Sequence, residues 1–364
     1  MNSKNANLTG GIKSTKKGLN SFFRILVILF VGMFLINFLV FIIIYINHVS
    51  KLKKETVYLT EVPGEYVTID GKELHIFKSL SEEADKTLVI LHDSGITEAV
   101  VDIQPLVAEL GESVNIVYVD RSGNGLSESN GSAKDIDSIV DLYRKVLAET
   151  KTEGPYVLVG CGTGGIFASY WAITYPDEVE GIIGIGSEYA DEYDGITEER
   201  YAGIGKWLMV KATSIGANRL LVSNDIENYH AVYTEKQMLM RKALRAKYFY
   251  TEDMYNEDLK MVDNALKAKN AGFPDNIPVL EIVTNSLMEP YAKDDSYIAE
   301  QLESVATNGN AVDYVSAVNK ERLAYFGKYP NVKCVEVSGP PELFTYDPKE
   351  TAELIMDFLD KEIN

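Results

Sequence analysis

Between Phe22 and Ile46 almost every position is apolar, the interruptions being Arg24, Asn37, one glycine (Gly32) and one tyrosine (Tyr45). A run of that length crosses a hydrocarbon core as a helix, so residues 22–47 are expected to form a transmembrane anchor. A cleaved signal peptide would carry a shorter apolar stretch ending in a small-residue site. This run leaves instead through Ile46-Asn47-His48-Val49-Ser50, which favours an uncleaved anchor. Beyond it, short apolar runs alternate with helix-length amphipathic segments. That alternation predicts an α/β fold: a mostly parallel sheet with helices on both faces.

Tyr66–Ile69 and Glu73–Phe77, separated by Asp70-Gly71, predict an antiparallel hairpin at the sheet edge. Strands follow at Thr87–Leu91, Asn115–Val119, Tyr156–Gly160 and Val179–Gly186, with helices over Asp102–Leu110, Ala133–Thr150 and Gly165–Tyr175. From Glu188 to Asn276 no clean strand is visible. Helical patterns around Tyr201–Thr213, Glu235–Lys247 and Asp253–Lys269 suggest an inserted helical layer. Strands resume at Val279–Val283 and Val332–Val337, and Pro348–Ile363 closes the chain as a helix. The expected organisation is a tail (1–21), the anchor (22–47), a core (55–187 and 277–364) and a lid (188–276).

Charge divides the chain along the same boundary. The first 54 residues hold eight Lys or Arg and no Asp or Glu, whereas residues 55–364 hold 27 basic and 54 acidic residues, a formal −27. Basic residues before the anchor and at its start, against three after it, place the N-terminus in the cytosol and the body outside the cell membrane. The acidic body argues against nucleic acid binding. Cys161 and Cys334 make no disulfide framework. His48, His75, His92 and His230 lack metal-ligand spacing, and no dense carboxylate loop suggests calcium, so no metal or cofactor is expected. The stretch from Asn2 to Gly18 reads as a disordered tail.

The turn in Leu158-Val159-Gly160-Cys161-Gly162-Thr163-Gly164-Gly165 joins a strand directly to a helix, and such a sharp turn needs small residues around its apex. With Leu91-His92-Asp93-Ser94-Gly95, Val117 to Ser127 (Val-Tyr-Val-Asp-Arg-Ser-Gly-Asn-Gly-Leu-Ser) and Ser338 to Leu359, it forms an ordered set. In this order and spacing the set resembles the α/β-hydrolase superfamily over residues 65–363, in its esterase- or peptidase-like branch with a helical lid. The resemblance implies an eight-stranded, mostly parallel sheet and a Ser-Asp-His triad. It lays the serine on Gly162, the acid most nearly on Leu287 and the histidine near Pro340 or Pro341. No histidine follows His230.

Acyl transfer needs a nucleophile, a base to take its proton and an acid to orient that base, and all three positions are degenerate. Cys161 is expected to point into the core and Thr163 to lack a basic partner. Glu188 or Asp191 would have no histidine to orient. Asp120 and Arg121 read as a structural pair, and Ser122 and Ser127 as turn residues. His92, Asp93, Ser94, Gly95, Cys161 and Thr163 define the candidate pocket and oxyanion region. Three functions stay open. The first is an inactive hydrolase-fold protein binding a small molecule, peptide or protein at the core–lid cleft. The others are a hydrolase with displaced catalytic groups and a structural or assembly protein.

Overall fold

The computed structural model describes residues 4–131, 133–198, 202–221, 228–285 and 311–363. Helix α1 (Lys4–Leu59) contains the apolar span and continues past it on both sides. Its N-terminal part runs through the stretch expected to be disordered. No proline occurs before Pro63, so nothing interrupts the hydrogen-bond ladder propagating from the span. From Phe22 the helix is long and apolar enough to cross a membrane, with its side chains facing outward. Asn37 satisfies its amide within the helix by donating to the Met33 carbonyl at 2.8 Å.

Eight strands follow: β1 (Glu65–Ile69), β2 (Lys72–Ser79), β3 (Thr87–Leu91), β4 (Asn115–Val119), β5 (Tyr156–Cys161), β6 (Val179–Ile185), β7 (Val279–Asn285) and β8 (Val332–Ser338). They form one sheet in the order β1-β2-β4-β3-β5-β6-β7-β8, and β3 to β8 are parallel to one another. The expected hairpin is present, with Ile69 opposite Lys72 and positive φ at Asp70 and Gly71, as a tight two-residue turn requires. Its second strand lies inside the sheet, antiparallel to β4. His75 is therefore a buried residue rather than an edge one.

Strand alternation builds two cores. Leu88 and Ile90 of β3 face the side covered by α2 (Ala99–Asp102), α3 (Gln104–Leu110) and the C-terminal helix (Pro348–Glu362), while Val89 and Leu91 face the other. That second side is covered by α4 (Ile136–Glu149) and α5 (Gly164–Thr174). In α4, Ile136, Ile139, Val140, Tyr143, Val146 and Leu147 recur at helical spacing and are buried, and the Asp135 side chain caps the Ser138 amide at 3.1 Å.

Between β6 and β7 the described helices are α6 (Ile204–Ile215), α7 (Asn218–Leu221), α8 (Glu235–Tyr248) and α9 (Glu252–Ala271). Met261, Ala265 and Ala268 of α9 join the core beneath α4 and α5, so part of this insertion covers the sheet. A further helix, α10 (Ala311–Phe326), precedes β8 and is followed by α11, the C-terminal helix. The sequence pattern did not expose α10. Val312, Val315 and Val318 are β-branched and blur a helical signal.

Candidate active site

The turn after β5 has the geometry of a nucleophile elbow. Gly162 sits at its apex with φ +52°, a left-handed conformation that only glycine adopts without strain. Gly160 and Gly165 let strand and helix cross closely, since a Cβ on Gly160 would fall 2.6 Å from Gly165 Cα. The apex thus carries no side chain to attack a carbonyl.

The space above the apex is taken by Asp93. A Cβ built on Gly162 would lie 2.5 Å from Asp93 Oδ1 and 2.6 Å from Oδ2, so glycine is what admits the carboxylate. Oδ1 accepts from the Thr163 amide at 2.9 Å, the Thr163 hydroxyl at 2.8 Å and the Ser94 amide at 2.7 Å. In this fold the amide after the nucleophile and one from the loop after β3 form the oxyanion hole. An internal carboxylate holds both donors here. The amide from the β3 loop is that of Ser94; Gly95, also expected in this region, has open space around its Cα.

Burial pushes the Asp93 carboxyl up, against the pull of the hydrogen bonds from Thr163 and Ser94. Other acids converge on it. Burial, reinforced by the Asp93 charge, pushes Glu188 up to about 7 and Glu342 up to about 7. Glu342 stands beside Pro341, where a histidine was sought, so a carboxyl is the titratable group at that place. Leu287, the nearest match to the triad acid, lies outside the described residues. Pro341 is exposed, its carbonyl packed close to Gly186 at the end of β6.

The remaining candidates have structural partners. Cys161 is buried, its strand position turning it toward Val157, Val159 and Ile185, and burial together with Glu342 and Asp93 raises its thiol well above the usual range. His92 is buried with Nδ1 against the Asp93 carbonyl at 2.7 Å, and burial, then Arg121, keeps its pKa well below normal. Its Nε2 has no hydrogen-bond partner. Thr163, expected to lack a basic partner, donates its hydroxyl to the Asp93 carboxylate, a contact the sequence did not reveal. His230 is exposed and packs on Tyr346 at 4.3 Å between ring centroids. Glu188 accepts from Tyr193, and Asp191 pairs with Lys269 at 3.0 Å.

Asp120 and Arg121 are both structural, but they do not pair with each other. Asp120 accepts from the Tyr118 hydroxyl at 2.6 Å and the Leu126 amide at 3.1 Å, and faces His75 Nδ1 at 2.9 Å. Arg121 points the opposite way, to Glu257 of α9 at 2.6 Å and the His92 carbonyl at 2.8 Å. Ser122 and Ser127 are turn residues, bonded to Asn130 and to the Asp120 carbonyl.

The inserted helices are latched to the core by buried charge. Arg241 meets Asp102 at 2.5 Å, Arg245 meets Glu98, and Lys134 meets Asp253 at 2.9 Å. Ser94 itself donates to Asp258 of α9 at 3.0 Å, which also accepts from Lys206 and Tyr250. Cavities of about 240, 400, 360 and 390 Å³ open elsewhere, and none of the four is lined by Asp93, Gly162 or Thr163. Among the described residues, no cluster of three or more His, Cys, Asp or Glu has metal-binding geometry.

Comparison with known proteins agrees with this architecture. The family described as "Serine aminopeptidase, S33" matches residues 82–270. An uncharacterized protein of Bacillus subtilis (strain 168), YbdG, is 26% identical over 350 residues, covering 94% of this chain and 99% of its own length. A pimeloyl-[acyl-carrier protein] methyl ester esterase of Aliivibrio salmonicida is 35% identical over 107 residues, 29% of this chain and 38% of that protein. Among solved structures, the enol-lactonase from Burkholderia xenovorans LB400 superposes with a TM-score of 0.54 at 16% identity, covering 82% of this chain and all of that one. That likeness speaks to the fold alone.

Proposed function

The chain belongs to the serine aminopeptidase family of α/β-hydrolases, and from that membership we propose that it is a member without hydrolytic activity, acting at the membrane by binding or regulation. The single observation that carries the proposal is the Asp93 carboxylate, which takes the oxyanion donors above an apex that bears no nucleophile. An oxyanion hole accelerates acyl transfer because preorganised donors await a charge that develops only in the transition state. A resident carboxylate saturates those donors, and its own charge repels the incoming one. Glu188 and Glu342 add to the repulsion, and no imidazole stands where a base would be needed. We further propose a cytosolic N-terminus and an extracytoplasmic body, from the basic residues flanking the anchor, with a small-molecule, peptide or protein ligand at the core–lid boundary.

One hydrogen bond favours a second reading. The Thr163 hydroxyl donates to Asp93 at 2.8 Å, the geometry of a hydroxyl and its base. Against it, Thr163 is 2% exposed and its oxygen also accepts from the Ser94 amide at 2.9 Å, so a substrate reaches it only if Asp93 leaves. The deciding experiment assays the purified full chain on activated short- and long-chain esters and amides, beside Thr163→Ala and Cys161→Ala variants. Rates equal to the uncatalysed background for all three are expected. Turnover that Thr163→Ala abolishes would establish a displaced-nucleophile hydrolase instead.

A further inference from the structure

Residues 201–224 contain no Asp or Glu but include Lys206, Lys211 and Arg219, in a body otherwise dense with acid. Helix α6 lies within this stretch and is amphipathic in an unusual sense. Val210 and Thr213 are buried, while Ile204, Trp207, Leu208 and Lys211, at i, i+3, i+4 and i+7, face outward. Ile204 is 77% exposed, Leu208 53% and Trp207 42%, and Leu220 just beyond is 69% exposed. Lys211 Nζ lies 5.5 Å from the Trp207 ring centroid.

The position of this face follows from its attachment to α1. His48 packs so tightly on Gly216 that a Cβ there would collide with its ring, and Arg219 bridges Glu55 at 2.8 Å and His48 Nδ1 at 3.1 Å. His48 stands two residues past Ile46, the end of the apolar span, which is about 3 Å along a helix. The end of α6 is therefore clamped at the level where the anchor leaves the hydrocarbon. Lys51, Lys53 and Lys54 are exposed just beyond it.

We propose that α6 and Leu220 form a second membrane contact, lying in the headgroup–acyl boundary of the bilayer that α1 crosses. Ile204, Trp207, Leu208 and Leu220 enter the apolar side, and Lys211 reaches lipid phosphate. Tryptophan favours this interface because it is apolar in body and polar at its N–H, and a helix with an apolar face and basic flanks lies in the plane of a membrane. The proposal stands on the anchor and the lid, independently of whether the elbow is active. The surface also connects to the site: Lys206 of α6 and Ser94 share Asp258, and the Ser94 amide donates to Asp93.

Trp207 reports the contact directly, because the second tryptophan, Trp171, is fully buried in the core. The full chain would be placed in nanodiscs of phosphatidylcholine and phosphatidylglycerol, with and without lipids carrying a nitroxide near the headgroup. The expected result is at least twofold stronger quenching by lipid-borne nitroxide in the unmodified chain than in Trp207→Phe, with iodide in the water having little effect on either. Quenching by iodide and not by lipid would overturn the proposal by placing the face in solvent. Shielding from both would overturn it in favour of a protein cover, such as a second copy. If Trp207→Phe fails to fold, a nitroxide on Leu208→Cys in a Cys334→Ser background reads the same depth, with the same two outcomes.

Discussion

Two aspartates organise the C-terminal edge of the sheet, and the loops they hold differ in what can be removed from them. Asp120 lies beneath the loop after β4, with no exposure; its hydrogen bonds come from Tyr118 two residues before it and Leu126 six after it, and it also faces His75 of β2. Asp93 lies above the elbow and takes two of its three donors from Thr163, seventy residues further along the chain. The first is part of the loop's own construction. The second fills a place that the same fold can leave open, so it restrains two loops that meet there without being required to shape either. A hydrogen-bonded carboxylate can therefore serve as a fold element or as an occupant, and what separates the two cases is whether its own loop is built around it.

The largest effect that would sharpen the contrast is loss of Asp120. Asp120→Ala strands the Tyr118 hydroxyl, the Leu126 amide and His75 in the interior, at about 1–3 kcal/mol for each buried group left unsatisfied. Thermal unfolding of the full chain in detergent is expected to show a loss of several degrees at least; an unchanged midpoint would erase the distinction between the two sites.

Asp93→Ala is expected to cost less, about 1 kcal/mol, because this site is only half-buried and water can replace the carboxylate. The variant should gain what the parent lacks, an anion site at the Thr163 and Ser94 amides. Titration with benzoate, an anion at neutral pH, followed by thermal shift, should stabilise Asp93→Ala and leave the unmodified chain unmoved. Equal shifts in both proteins would mean that the carboxylate does not hold the donors in solution.

The smallest effect concerns the acids around the elbow. Burial pushes Glu281 up to about 8, opposed by Ser187, while Glu188 and Glu342 rise to about 7. In the unfolded chain such groups titrate near about 4.3, so the folded state binds their protons more tightly. Their contribution is fully present below the unfolded value and is lost as pH rises through 7 to 8. Melting temperature should therefore fall between pH 5 and 8, and Glu281→Gln should flatten the upper part of that fall. Parallel curves for the two proteins would show that Glu281 is already ionised in the folded state.

Much of this molecule could be read before folding was considered. The apolar run from Phe22, the alternation of strands and helices, the Asp-Gly hairpin and the glycines around residue 162 each depend on neighbours within a few residues. Such local patterns persist whatever surrounds them. Helix α10 escaped because its valines weaken the local signal. The site was legible in its residue types: glycine stands at 162 and no histidine follows His230. What stands above residue 162 was not. No local rule selects Asp93 over Ser94 to stand above residue 162, and the spacing of acids along the chain does not reveal that Glu188 and Glu342 converge there.

The partners of Arg121 teach the same lesson. Its neighbour Asp120 is the obvious choice along the chain, yet the ion pair forms with Glu257 on a helix 136 residues away. The amino-acid sequence alone determined the apolar span, the sheet, the glycine at residue 162 and the lack of a histidine after residue 230, because these follow from periodicity, steric freedom at glycine and the residue types themselves. Folding decided which carboxylate stands on the Thr163 and Ser94 amides, which arginine latches which helix, and that the end of α6 packs on α1 just past the apolar span. Those outcomes depend on which distant groups share a few ångströms of low-dielectric space, and only the packed chain brings them together.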